Sequence, residues 1–182
     1  MRKRLVVAAR ALFIEEGFTG TSTPEIVKRA EVTRGALYHH FSDKSELFQA
    51  VVAVEAASVA AAIEADAGMA EDAETALRLG ADAYFEAMKV EGRARLLLID
   101  GPAVLGPDTM DKIDGGAGRA SLASGLAALR PDLDTGILAA LTMLLSSAFD
   151  RAAQDIAMGG DQGKNRQAIG LPLSGISSGK ST

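Results

Sequence analysis

A chain of 182 residues that is 48% hydrophobic and only 4% aromatic is long enough to bury a core and too apolar to be disordered throughout. It has no cysteine, which excludes disulfides and thiolate metal sites and agrees with the cytoplasmic location we expect. A net charge of −5 argues against a nucleic-acid partner until its distribution is read. Residues 1–44 carry eight Lys or Arg against five Asp or Glu, while the remainder carries eleven against nineteen, so a basic end precedes an acidic body.

The first apolar stripe, Leu5, Ala9, Leu12 and Phe13, predicts a helix over 2–16 that stops at Gly17, with Phe18 folding back over its end. The basic start, Met1 to Arg4, leads into Arg10, Glu15 and Glu16 instead of an apolar export core, so no export signal is expected. Thr23 is placed to cap a helix whose first position is Pro24 and whose inward residues are Ile26, Val27 and Ala30. Val32 and Thr33 make a turn. Thr33 then caps a second short helix in which Leu37 and Phe41, four apart, face the core. Arg34, Gly35, Tyr38 and His39 are left on the opposite side. Lys44 opens a longer helix, predicted over 44–65, with Asp43 and Glu46 as its capping box and Leu47, Phe48, Val51, Val54 and Val59 as its apolar residues.

The polar edge of the second short helix suits a duplex. Such a helix fits the major groove, its N-terminal N–H groups and Arg34 attract phosphate, and Gly35 lets the backbone approach closely. Tyr38 and His39 reach phosphates or base edges. Lys44 places an ammonium near a positive helix end, a repulsion that a bridging phosphate relieves. The basic residues Arg2 to Arg4 are expected to flank DNA.

Residues 8–52, AARALFIEEGFTGTSTPEIVKRAEVTRGALYHHFSDKSELFQAV, carry in ungapped order ALF, a G-F turn, T-x-x-I, G-x-L-Y-x-H-F and K-x-x-L-F. In this the chain resembles the tetracycline-repressor-like (TetR) transcriptional regulators. The resemblance implies an all-α protein with an N-terminal three-helix helix-turn-helix DNA-binding domain and a C-terminal helical ligand-binding and dimerisation domain. By position it puts DNA contacts on Thr23, Thr33, Arg34, Gly35, Tyr38, His39 and Lys44. His40 also matches, with packing and a backbone bond as its alternative role.

Plainer readings stand beside this one. Leu-Tyr-His-His-Phe alone describes an ordinary amphipathic helix. Tyr38 with His39 suggests an acid–base pair and His39 with His40 a metal site, but neighbours on a helix point about 100° apart and do not readily share one ion. Both histidines of the chain lie in this helix, which leaves no free base for a Ser-His-Asp arrangement. The carboxylate pairs Asp111 with Asp114 and Glu71 with Glu74 fit solvated helix faces. No enzyme, metal or cofactor is therefore expected.

Beyond Gly68 the resemblance thins but helical spacing continues. Ala73, Leu77, Gly80, Ala81, Tyr84, Phe85 and Met88 predict a helix over 71–89, and 93–100 forms a short apolar segment interrupted by Gly101-Pro102. After Gly106-Pro107 comes a helix over 108–129, in which Gly115, Gly116 and Gly118 leave open a loop between two shorter helices. Residues 132–158 are the most apolar helix. Its uninterrupted apolar core of about 14 residues falls short of the roughly 20 that span a bilayer, so no membrane partner is expected. Its small residues, Ala139, Ala140, Ser146, Ser147 and Ala148, permit close helix packing, and the resemblance implies that this helix and the next form a homodimer interface. In the tail, Pro172, Gly170 and Gly175 predict a short helix that ends before Pro172 and frays after it. SGISSGKST there nearly spells a phosphate-binding loop. It has Ser174 at the first glycine position, and the motif also needs a strand before it and a helix after it.

The sequence thus divides into a DNA-binding domain at 1–45 and a regulatory and dimerisation domain at 46–182. Its partners are expected to be a double-stranded, near-palindromic operator, a second copy of the chain, and a small-molecule effector of unknown identity. By the resemblance the effector lies among helices spanning about 71–158, and Tyr84, Phe85, Met88, Leu97, Leu105, Met110 and Met143 are candidates to line its pocket. The alternative is a helical small-molecule-binding protein with a non-functional DNA module.

Overall fold

The computed structural model describes residues 1–114 and 118–178, and every regular element among them is helical. The chain forms two compact units. One comprises Met1–Glu55 with Arg95–Ile113, and the other Ala56–Ala94 with Asp114–Thr182. The boundary expected at 45/46 falls inside a continuous helix.

In the first unit α1 (Arg2–Gly20), α2 (Thr23–Ala30), α3 (Arg34–His40) and the start of α4 (Lys44–Ala67) enclose a core of Leu5, Ala9, Leu12, Phe13, Ile26, Leu37, Phe41, Leu47, Phe48, Val51 and Val52. Gly17 breaks the helical dihedrals of α1 with φ 72° and ψ 172°, a conformation that a Cβ disfavours. The break turns Phe18 back onto Phe13 and Phe48, with ring centroids 5.9 and 5.1 Å away, while Phe13 and Phe48 meet edge to face at 5.0 Å. Thr21, buried, donates from its hydroxyl to the Gly17 carbonyl at 2.8 Å, so the carbonyl beside the break is satisfied. Arg10 of α1 makes a two-pronged ion pair with Glu55 of α4 at 2.8 and 3.2 Å. The Glu55 carboxylate is buried, and the guanidinium is partly open to solvent.

Gly101-Pro102 does not interrupt the helix as expected. From α6 (Arg93–Arg95) the chain passes through a π-helical turn at Leu96–Asp100 into α7 (Gly101–Leu105). The Gly101 N–H donates to the Leu96 carbonyl, five residues back, and this wider turn makes room for the proline. A Cβ on Gly101 would stand 2.8 Å from that carbonyl oxygen and 2.9 Å from Met110 Sδ, so the turn needs glycine here. α8 (Pro107–Asp114) follows. Gly115 and Gly116, the centre of the doubtful span, lie outside the described residues.

In the second unit the distal part of α4 packs on α5 (Ala73–Met88), where a Cβ on Gly80 would lie 3.4 Å from Ile63. α9 (Gly118–Leu129) approaches α5 more closely, since a Cβ on Gly125 would come within 2.6 Å of Leu77. With α10 (Thr135–Ala157) and α11 (Gln162–Ser178) these helices enclose Phe85, Phe149, Ala152 and Ile169 in one cluster and Leu77, Leu126 and Leu145 in another. α11 runs through Pro172 instead of ending there. A proline inside a helix costs about 3 kcal/mol. Ile169, Leu173 and Ile176 all pack on these clusters, and full burial of each such side chain returns about 1.5–3 kcal/mol, so partial burial of three outweighs the proline.

α4 and α10 are each long and apolar enough to cross a membrane by length and composition, but half of the apolar stretch of α4 is buried against protein. Of the apolar stretch of α10, 28% is buried, and Ile137, Met143 and Leu144 are exposed. Replacing Arg10 with Met should strand the Glu55 carboxylate in the core and destabilise the fold by about 3 kcal/mol, measured by urea denaturation. An unchanged midpoint would show that other partners compensate the charge.

Candidate nucleic-acid interface

The cap of α2 is Ser22, one residue before the expected Thr23. Ser22 and Glu25 form a reciprocal box, in which the Ser22 hydroxyl accepts from the Glu25 N–H and the Ser22 N–H donates to the Glu25 carboxylate at 3.0 Å. The Ser22 hydroxyl also donates to the Glu25 carboxylate at 2.6 Å, and this bond first, then that from the Ser22 N–H, holds the Glu25 carboxyl below its usual range. The signal was present as Ser-x-x-Glu at 22–25. Thr23 is instead the first helical residue, half-buried, with Pro24 in the first turn, where its missing N–H costs nothing. α2 ends at Glu31 in the left-handed conformation (φ 51°, ψ 49°), and the Val32 N–H donates back to the Val27 carbonyl at 3.0 Å.

Thr33 caps α3 as expected, accepting from the Ala36 N–H at 3.1 Å. Leu37 and Phe41 are buried, and Arg34, Gly35, Tyr38 and His39 are exposed together on the other side. The Arg34 guanidinium lies 5.5 Å from the centroid of the Tyr38 ring. A hydrogen bond with Thr23, and then the Arg34 guanidinium, hold the Tyr38 hydroxyl below the usual phenol range. Thr23 of α2 and Arg34 and Tyr38 of α3 therefore meet as one polar group across the turn. A Cβ on Gly35 would find only the Thr33 hydroxyl, 3.9 Å away, so nothing in the fold requires this glycine. His39 and His40 stand edge to face at 5.2 Å, with His40 the less exposed.

Lys44 is tied back into the protein. Its ammonium donates to the carbonyls of Phe18 at 2.7 Å and Thr21 at 2.8 Å and lies 4.4 Å from the Phe18 ring. Two of its three protons thus close the end of α1. At the start of α4 the Glu46 N–H donates to Asp43 at 2.8 Å, and the Glu46 carboxylate accepts from the Ser42 N–H at 2.6 Å, one residue earlier than a reciprocal box with Asp43 requires. The exposed ion pairs between α1 and the end of α2, Arg29 with Glu15 at 2.6 Å and Arg4 with Glu31 at 3.1 Å, escape a sequence reading. No local spacing betrays pairs 14 and 27 residues apart.

The residues expected to line an effector pocket divide between the two units. In the second, Tyr84 and Phe85 are brought together with Phe149, all centroids within 5.6 Å, and the Tyr84 hydroxyl donates to Asp150 at 2.7 Å. Met88 is buried nearby in sequence, whereas Met143 is 56% exposed on the outer face of α10. In the first, Leu97 is buried, Leu105 half-buried, and Met110 lies against Gly101. Among the described residues no cluster of His, Cys, Asp and Glu is placed to hold a metal ion.

Thr23→Val should return the Tyr38 hydroxyl towards the ordinary phenol range, read as phenolate absorbance against pH in a Tyr84→Phe background. An unmoved titration would show that Thr23 is not its partner.

The pattern of the tetR family of bacterial regulatory proteins matches residues 5–51, and that of the tetracyclin repressor-like C-terminal domain matches residues 74–179. The regulator AcrR of Shigella flexneri is 48% identical over 50 residues, covering 28% of this chain and 23% of that protein. The transcriptional activator FasR of Mycolicibacterium smegmatis is 26% identical over 112 residues, covering 62% and 51%. The chain thus spans about half or less of these curated relatives. A TetR-family regulator from Pectobacterium atrosepticum superposes with a TM-score of 0.76 at 30% identity, covering 99% of this chain and 95% of that one. FadR from Bacillus subtilis, in complex with stearoyl-CoA, superposes with a TM-score of 0.79 over the whole of both chains at 16% identity, a likeness of fold alone. With both halves matched by family patterns and a 30% identical structure covered almost end to end, the chain belongs to the TetR family of bacterial regulatory proteins.

Proposed function

We propose that this protein is a ligand-responsive, DNA-binding transcriptional repressor that acts in the cytoplasm as a homodimer and has no enzymatic activity. The observation that carries this reading is the exposed edge of Arg34, Gly35, Tyr38 and His39 on a helix whose other face is fully anchored. Residues 1–45 are the DNA-binding domain and 46–182 the regulatory and dimerisation domain. Thr23, Thr33, Arg34, Gly35, Tyr38 and His39 contact the duplex. Lys44 adds a third, outward proton to a phosphate already attracted by the start of α4.

The dimer rests on α10 and α11. Ile137, Met143 and Leu144 of α10 and Leu171 of α11 are all more than half exposed, and Ala139, Ala140, Ser147 and Ala168 lie exposed among them. An apolar face of this kind with small residues lets a second copy approach closely. Two recognition helices about one turn of DNA apart, roughly 34–36 Å or a multiple of it, then meet a near-palindromic operator. An effector held beside Tyr84, Phe85 and Met88 of the second unit shifts that spacing only if it binds the DNA-incompetent state more tightly. The apolar and aromatic character of these side chains favours an apolar or aromatic effector.

Selection from a random duplex pool should enrich an inverted repeat, bound less tightly as salt rises. Failure to enrich any repeat would sink this reading. Gly35→Ala separates interface from fold, since alanine should stabilise α3 by up to about 0.5–1 kcal/mol while the added methyl lowers affinity for the selected duplex at least tenfold. Equal affinity in a gel-shift titration would remove Gly35 from the contact. Leu144→Arg should convert the dimer to monomers in analytical ultracentrifugation, and a persisting dimer would move the interface elsewhere.

A further inference from the structure

Glu31 is the one non-glycine residue with positive φ among the described residues. A side chain in that conformation costs roughly 1–2 kcal/mol, and glycine would remove the cost. The residue is therefore poorly explained by the turn it occupies. Its other neighbours are more informative. A single nitrogen of Arg4, Nη2, donates both to the Glu31 carbonyl at 3.4 Å and to its carboxylate at 3.1 Å. The Arg4 and Glu31 side chains are 53% and 84% exposed, and an ion pair so open to water adds little stability. The pair does not account for the strain by holding the fold together.

What it does is place an anion at the turn. Glu31 lies two residues ahead of the Thr33 cap of α3, in the turn that leads to the exposed Arg34, Gly35, Tyr38 and His39. The carboxylate also holds one of the eight basic residues of the N-terminal segment. We propose that Glu31 is an internal competitor of the DNA backbone. It retains Arg4 against the phosphate that Arg4 would otherwise meet, so Glu31 lowers affinity for all duplexes alike and flattens the salt dependence. Arg4 and Glu31 then set overall affinity and leave the choice of sequence to the base contacts of α3, because phosphate contacts carry no sequence information. This inference rests on the DNA-binding reading above.

The test compares wild type, Glu31→Gln, Arg4→Gln and the double variant by fluorescence anisotropy, on the selected duplex and on a scrambled duplex of equal composition, across a salt series. Glu31→Gln keeps the size of the side chain and removes its charge. It should tighten binding to both duplexes several-fold and to a similar degree. It should also steepen the plot of log affinity against log salt by about 0.9, the value of one added phosphate contact. In the double variant both gains should vanish. An unchanged slope in Glu31→Gln would overturn the proposal while leaving DNA binding intact. A gain that survives Arg4→Gln would overturn it too, by showing that Glu31 acts through simple repulsion. If the wild type binds neither duplex in a salt-dependent way, the underlying reading fails first. Thermal melting of each variant confirms that it is folded.

Discussion

A helix of seven residues has no stability of its own in water, because the cost of nucleation exceeds what so few hydrogen bonds return. The existence of α3 therefore depends on two side chains, Leu37 and Phe41, buried to 0% and 2% exposure against the helices around it. The rest of the first unit serves that burial. Gly17 turns the chain so that Phe18 closes over Phe13 and Phe48, Lys44 ties off the end of α1, and Thr33 fixes where α3 begins. With one face spent on the core, Arg34, Gly35, Tyr38 and His39 are left exposed on the other.

The inward and outward faces of α2 and α3 were legible because their signals are local: a cap, a turn and an i, i+4 apolar pair. The same local logic placed the break at Gly17. It misplaced the cap of α2 by one residue, since Ser22 and Thr23 are both good caps and only the reciprocal bond with Glu25 chooses between them. It failed at the two prolines inside helices for another reason. Propensity makes Pro102 and Pro172 breakers, but a π-helical turn absorbs the first and burial of Ile169, Leu173 and Ile176 outweighs the second. Both are tertiary facts.

Side chains in the body were less legible than those in the helix-turn-helix. Apolar spacing marks residues that are buried somewhere, and Phe85, Met88 and Leu97 are buried. It does not say whether a neighbour is core, ligand or another subunit. Met143 shows the difficulty: by type it resembles a pocket residue, yet it shares the outer face of α10 with Ile137 and Leu144. Apolar residues there favour close contact with protein, and the small residues between them leave room for a second helix pair.

Charge in the N-terminal segment is likewise less available than a count suggests. Of eight basic residues in 1–44, Arg4, Arg10 and Arg29 face carboxylates and Lys44 faces two carbonyls. These four contacts differ in kind. Arg10 is bound to a buried carboxylate and is structural, since releasing it would take an ion-pair partner from a charge held out of water. Arg4 and Arg29 are held by exposed partners, where the attraction is screened by water and salt, so a phosphate can compete on nearly equal terms. The positive field at this end of the chain is therefore adjustable. It is set by how tightly exposed carboxylates keep their arginines, and a residue as conformationally costly as Glu31 becomes intelligible as part of that adjustment.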